Sequence, residues 1–396
     1  MAVLSLSRSL TAAAGAVLCV VAAATAVHAS PGRDPAALQR RLDRIVREDR
    51  IPGILITVTE PGPHGRQATL RAGTGDLRTG RPVPPDGRVR IGSVTKAFVA
   101  TVVMQLAGEG GIGLDTPVER YLPGVVRGRG GDGRVITIRQ LLQHTSGLPD
   151  PGDLLPHDEK FARHRFDHHD RDELIRHALG KRPTFAPPGA AGKWSYTNTG
   201  YLLLGMVVEK VTGAKDWRDE VRRRIVVPLR LRGTSLPRPG SYGIPGPHPH
   251  GYIRVASGLA DVTEQDTGHL DAAGGMISTP GDVNRFFTAL LRGELLRPAQ
   301  LAQMTRMIEA APGGAVERYG LGLERNELSC GGFVGHSGQM HGYSTAAGLL
   351  VDRAGRLGRA VTMTITTEPR DLEEFHHLMK VVDTALCGPR PSPAAS

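Results

Sequence analysis

The sequence predicts an α+β fold: one antiparallel sheet assembled from both chain ends, flanked by terminal helices, with a mostly helical lobe inserted at roughly residues 100–310. Three observations predict it. β-branched runs separated by a turn occur near each end of the chain, an amphipathic helical pattern lies outside each pair of runs, and helical periodicity dominates the long middle. With 396 residues and 40% apolar content, the chain can bury a full core, which excludes disorder of the whole.

Taken in order, an apolar stretch from Leu10 to Val27 follows Arg8 and ends in Val27-His28-Ala29, a small-x-small pattern, so residues 1–29 read as a signal peptide, with an uncleaved anchor as the alternative. Cys19 lies within it, preceded by the bulky Leu18, and no lipid attachment is expected there. Asp34-Pro35 supplies an N-cap and N1 residue for a helix with the stripe Leu38, Leu42, Ile45 and Val46, stopped by Pro52-Gly53. GILITVTE and RQATLRAGTG then form a hairpin about Pro61-Gly62-Pro63.

The run IGSVTKAFVATVVMQLAGEG at 91–110 is apolar on nearly every face, which predicts a buried helix ending near Gly108 and Gly110. WSYTNTGYLLLGMVVEKVTG predicts another, from about Tyr201 with Asn198 as N-cap and Gly213 at C′. PRPGSYGIPGPHPHGY at 237–252 lacks periodic apolar positions and reads as a long surface loop, a candidate lining for a cleft. Toward the end, GYSTAAGLLVD and RAVTMTITTE flank the turn DRAGRLG, DLEEFHHLMKVVDTALCG closes as an amphipathic helix, and residues 389–396 form a disordered tail.

Three clusters carry chemistry. Ser93 and Lys96 stand three apart at the start of the 91–110 helix, on one face, so hydroxyl and amine can meet. A lysine buried there should have a depressed pKa and could serve as base for the serine. Tyr196 could move protons beside that lysine, and the Asn198 amide can both donate to and accept from a substrate amide. In GGFVGHSGQMHGYS, His336-Ser337-Gly338 marks a glycine-rich strand passing close to other backbone, and a backbone N–H near Gln339 could complete an oxyanion hole with that of Ser93.

Other features exclude function classes. The formal net charge is +10, yet only seven of the 49 basic residues are lysine, so arginine-rich composition accounts for it and no nucleic-acid partner is expected. HDEKFARHRFDHHDRDELIRH holds His157, His164, His168, His169 and His177, but their spacing matches no zinc signature and the segment reads as solvated. His144 follows a helix and precedes a Ser-Gly turn, a structural position. After leader removal Cys330 and Cys387 remain: one disulfide, or two buried thiols. G-x-S-x-G is absent, which excludes an α/β-hydrolase, and no ExxLN-like glutamate loop is present.

S-x-x-K, Y-x-N and H-x-G, in that order, together with RVRIGSVTKAF, LDTPVERYLPG, ITIRQLLQHTSGLPD, FAPPGAAGKWSYTNTGYLLLGMVVEKVTG, AAGGMISTPGDVNRFF and GHSGQMHGY, resemble the serine β-lactamase/penicillin-binding-protein superfamily, in its D-alanyl-D-alanine carboxypeptidase and class C β-lactamase branch. The resemblance covers most of residues 35–388. It implies Ser93 as acylated nucleophile, Lys96 as its proton partner, Tyr196 as acid/base and Asn198 as substrate-amide binder. His336 stands where relatives carry lysine, Ser337 offers a hydroxyl, Gly338 follows, Gln339 replaces a threonine, and Arg325 becomes a candidate carboxylate anchor. The cysteine upstream of H-x-G also resembles secreted carboxypeptidases and supports the Cys330–Cys387 bond.

The resulting expectation is a secreted or extracellular, cell-wall-associated serine hydrolase, monomeric and without metal or organic cofactor. It would cleave a peptide ending in D-Ala-D-Ala through an acyl-enzyme, with a small ester or β-lactam as the alternative substrate and a non-catalytic penicillin-binding sensor as the rival reading.

Overall fold

The computed structural model describes residues 35–62, 65–154, 158–310 and 315–388; the stretch expected to be a signal peptide, Asp34, His157 and residues 389–396 lie outside the described residues. Pro35–Glu48 forms α1, which buries Leu38, Leu42 and Ile45 at helical spacing. Gly53–Thr59 (β1) and Gln67–Asp76 (β2) pair antiparallel, and Arg81–Pro82 (β3) lies beside β2. From the far end come Ile308–Glu309 (β4), Arg318–Tyr319 (β5), Glu324–Leu328 (β6), Gly331–Met340 (β7), Tyr343–Asp352 (β8) and Leu357–Ile365 (β9). The sheet runs β4-β5-β6-β7-β8-β9-β1-β2-β3, so β9 beside β1 stitches the two chain ends together, with Ile54 opposite Ile365. This is the expected α+β architecture.

β1 is buried along nearly its whole length rather than alternately, because both faces of the sheet are covered. α1 and the closing helix Leu372–Cys387 pack one face, where Leu42, Ile56, Val361, Val381 and Val382 share a core. The second face carries the larger core, centred on Thr95–Gly108 (α2), Asn198–Thr212 (α4) and Pro280–Leu291 (α5). Between α2 and α4 in the chain lies the short helix Ile138–Gln143 (α3), and Leu372–Cys387 is α6. α2 buries eleven of its fourteen residues and stacks Phe98 on Phe286 of α5 at 3.6 Å between ring centroids, so its N-terminus is fixed by the core around it. Cys330 and Cys387 are bonded, with Cα atoms 5.6 Å apart, tying the β6–β7 turn to the last residue of α6.

Two local readings are corrected. α4 begins at Asn198, earlier than the periodicity suggests, and its N-cap is Thr197, whose hydroxyl accepts from the Thr199 N–H at 3.2 Å. Asn198 is spoken for: its N–H donates to Asp150 Oδ2 at 2.5 Å and its side chain faces Lys96. The 237–252 segment is a largely exposed loop up to Tyr252, as expected, and its end meets the sheet, where His250 N–H donates to Gly75 O at 2.6 Å and Tyr343 Oη to Pro249 O at 2.9 Å. It is absent from the cavity lining described next.

Candidate active site

Residues 92–94 form a single 3-10 turn that leads straight into α2. Gly92 takes φ +51°, and a Cβ there would sit 2.4 Å from Gln339 O; a Cβ on Gly338 would sit 2.1 Å from Ile91 O and 3.0 Å from Ser93 N. The turn and β7 therefore meet backbone to backbone, and glycine at both positions permits it. This contact brings Ser93 beside Gln339 although they are 246 positions apart in the chain.

Lys96 is fully buried, and its Nζ makes three contacts: Ser93 Oγ at 2.9 Å, Asn198 Oδ1 at 2.8 Å and Ala273 O at 2.7 Å. Burial lowers its pKa to about 7, against the opposing pull of the Asp150 and Glu324 carboxylates. Tyr196 borders the same serine, and Nζ lies 4.8 Å from its ring centroid. Burial pushes the Tyr196 phenol well above its ordinary value, with a hydrogen bond to Ser93 acting the other way. Asp150 was given no role by the motifs, although it ends the quoted stretch ITIRQLLQHTSGLPD. It anchors the N-terminus of α4 and supplies one of the negative charges facing Lys96.

Ser93 and Tyr196 open onto a cavity of about 350 Å³, also lined by Glu324, Ser337, Gly338 and Gln339 and, on its apolar side, by Val316, Leu372, Phe375 and Leu378. Asp371 borders it too, and no lysine, arginine or histidine is among the described residues that line it.

Two candidate substrate-binding residues lie off this cavity. The His336 side chain is fully buried and points away from the cavity: Nε2 faces Tyr319 Oη at 2.8 Å, while Nδ1 faces Ser337 O and, at 3.2 Å, Glu324 Oε1. Burial lowers its pKa, the Glu324 charge opposing and the Lys96 charge adding, which disfavours the cation that an anchor for a substrate carboxylate would need. Arg325 stands opposite Val334 in the β6–β7 register, while Glu324 stands opposite Gly335. Alternation therefore puts Glu324, not Arg325, on the face of Ser337. The Arg325 guanidinium lies over Gly332 and pairs with Glu327 at 2.8 Å, away from the cavity. Asn198 is beside Lys96 as the motif implies, but its oxygen is engaged by Nζ and it is not among the cavity's lining residues.

Glu324 and Tyr319, which no sequence motif marks, also shape the site. Glu324 accepts the Ser337 N–H at 2.8 Å and the Ser337 hydroxyl at 3.0 Å. Tyr319 sits between His144 Nε2, at 3.2 Å, and His336 Nε2. His144 itself is buried with φ +61° at the end of α3, accepts the Thr197 N–H on Nδ1 at 3.3 Å, and packs its ring 4.3 Å from that of Tyr196. Among the His-rich segment, His164 pairs with Asp167 at 2.9 Å and His168 with Asp266 at 3.3 Å. No group of three or more potential metal ligands occurs among the described residues, and no described helix is long and apolar enough to cross a membrane.

The fold is similar to a solved D-stereospecific amidohydrolase from Streptomyces sp., with TM-score 0.78 and 36% identity over 90% of this chain and 99% of that one. The sequence is 35% identical to penicillin-binding protein 4 of Amycolatopsis lactamdurans over 52% of this chain, which spans half the length of that relative. It is 29% identical to esterase EstB of Burkholderia gladioli, covering 73% of this chain and 79% of the other. To the D-alanyl-D-alanine-carboxypeptidase/endopeptidase AmpH of Escherichia coli strain K12 it is 28% identical, over 78% of this chain and 79% of that one. The family profile described as Beta-lactamase matches residues 38–383, and the chain belongs to that family of serine hydrolases.

Proposed function

We propose that this chain is an amidohydrolase that acylates Ser93 with amino-acid amides or peptides lacking a free carboxylate at the leaving end, D-configured derivatives being the first candidates. The observation that carries this reading is the lining of the cavity. It holds Glu324 and Asp371 and no cationic side chain among its described residues, so a terminal carboxylate would meet like charge without a counter-ion. The similarity to a D-stereospecific amidohydrolase supports the same substrate class.

The roles follow from donor and acceptor bookkeeping. Two of the three Lys96 partners, Asn198 Oδ1 and Ala273 O, can only accept. A neutral Lys96 amine thus gives its two protons to these oxygens and turns its lone pair to Ser93, which makes Lys96 the base. The Ser93 oxygen attacks the amide carbon, and the backbone N–H groups of Ser93 and Gln339 receive the developing oxyanion. Tyr196, kept protonated by burial, gives its proton to the leaving nitrogen and recovers one from the Lys96 ammonium. Water then attacks the ester, releasing the acid and the Ser93 hydroxyl.

The sequence resemblance and the similarity to AmpH support a D-Ala-D-Ala carboxypeptidase instead. Parallel kinetics on D-phenylalaninamide, diacetyl-Lys-D-Ala-D-Ala, p-nitrophenyl butyrate and nitrocefin decide between them. The amide should give the highest kcat/KM of the two amide-bond substrates; if the peptide acid gives it, the carboxypeptidase reading stands and this one falls. Export is proposed on the leader at 1–29 and the Cys330–Cys387 bond, which suits an oxidising compartment.

A further inference from the structure

The hydroxyl of Ser337 has one proton, and the structure commits it. Glu324 Oε1 takes that proton at 3.0 Å and Oε2 takes the Ser337 N–H at 2.8 Å. The rest of the chain of contacts has a single consistent direction. His144 Nδ1 accepts from Thr197, so its Nε2 carries hydrogen and donates to Tyr319 Oη. His336 Nδ1 faces only acceptors, Ser337 O and Glu324 Oε1, so it carries hydrogen, and Nε2 must accept from Tyr319. Every proton from Thr197 onward points toward Glu324, which is 4% exposed and receives three donors. What Ser337 presents to the cavity is a lone pair.

We infer that Ser337 and Glu324 form a subsite that accepts an N–H donor of the substrate, an ammonium or an amide, and that Glu324 is the specificity-determining residue that excludes a carboxylate there. This rests on the amidohydrolase reading above and identifies the residue behind its preference. A carboxylate placed at Ser337 would face an oxygen with no proton to give and, behind it, a second negative charge. At the effective dielectric of a partly buried site, a like-charge contact of this kind discriminates by about 10²-fold. Replacing Glu324 with glutamine reverses the polarity: the amide oxygen can keep the Ser337 N–H, while its NH₂ donates to Ser337 Oγ and frees the hydroxyl proton.

The test compares diacetyl-Lys-D-Ala-D-Ala with the same peptide carrying a C-terminal amide, on full-length wild type and Glu324→Gln. The amide-to-acid ratio of kcat/KM should be about 10² for wild type and fall to within tenfold of unity in the variant, with the change in KM for the acid. A wild-type preference for the amide that persists unchanged in Glu324→Gln overturns the inference and leaves the amidohydrolase reading intact. A wild-type preference for the acid removes that reading itself. A second measurement does not depend on the variant folding: inhibition of wild-type ester hydrolysis by D-alaninamide against N-acetyl-D-alanine. The ammonium compound should have a Ki at least tenfold lower, and the reverse order overturns the subsite.

Discussion

Lys96 should act as a base with a pKa near neutrality, and its burial sets the size of the effect. An ordinary lysine titrates at 10.5, whereas this one is lowered to about 7. That displacement opposes the ammonium by about 5 kcal/mol and raises the neutral fraction at pH 7 from about 1 in 3,000 to about one half. With Lys96 as base, kcat/KM for an uncharged ester should climb tenfold per pH unit below about pH 6 and level off above about pH 8. Lys96→Arg keeps the charge at every accessible pH and should lower kcat by at least about 10³-fold. Stability carries the same signature. Because the native pKa is lowered, the cost is fully present below pH 7 and is relieved as pH rises from about 7 toward 10.5, where the unfolded chain still binds a proton that the native site does not. Unfolding free energy of the wild type should therefore rise by up to about 1.4 kcal/mol per pH unit more steeply than that of Lys96→Met between pH 8 and 10. The assay is p-nitrophenyl butyrate hydrolysis from pH 5 to 10, paired with urea denaturation at each pH. A rate limb that continues upward to pH 10, or identical pH slopes of stability in both proteins, would refute a base created by burial.

Three further outcomes follow from the same geometry. Tyr196→Phe removes the proton donor but not the ring packing against His144, so kcat on amides should drop about 10²- to 10⁴-fold, and less on an ester whose leaving group needs no proton. Gly338→Ala puts a Cβ into Ile91 O at 2.1 Å, so it should cost about 1–3 kcal/mol in thermal unfolding and displace the Ser93 and Gln339 amides, with loss of kcat. Opening the Cys330–Cys387 bond by the double serine variant frees a loop with a sequence separation of 57 residues, which should lower unfolding free energy by about 4 kcal/mol in the chain-entropy limit. A loss below about 1 kcal/mol would show that the terminal helix is held by its packing alone.

The legibility of this site followed the length scale of each contact. Ser93 and Lys96 meet because three residues make one helical turn, a local fact that spacing reports. Gly338 was legible for a similar reason, since a glycine flanked by a motif signals close backbone approach. Glu324 was not, because its role depends on which of two neighbouring residues in a strand faces the cavity. One step of β6 parity separates it from Arg325, and only the pairing with Gly335 fixes that parity. His336 lies off the cavity for a different reason: a strand position says nothing about burial, and the burial that lowers its pKa, with the Lys96 charge adding, comes from packing between strands and helices that local sequence does not report. The sheet itself was readable from its β-branched runs, whereas α4 starts earlier because the Thr197 hydroxyl caps it by accepting the Thr199 N–H, while the Asn198 N–H donates to Asp150.

Covalent capture tests the central claim most directly. Wild-type protein mixed with p-nitrophenyl butyrate, quenched in acid within the first turnover and digested, should carry one butyryl group on the peptide that contains Ser93, and Ser93→Ala should carry none. An acyl group on any other residue, or one that persists in Ser93→Ala, would contradict the account.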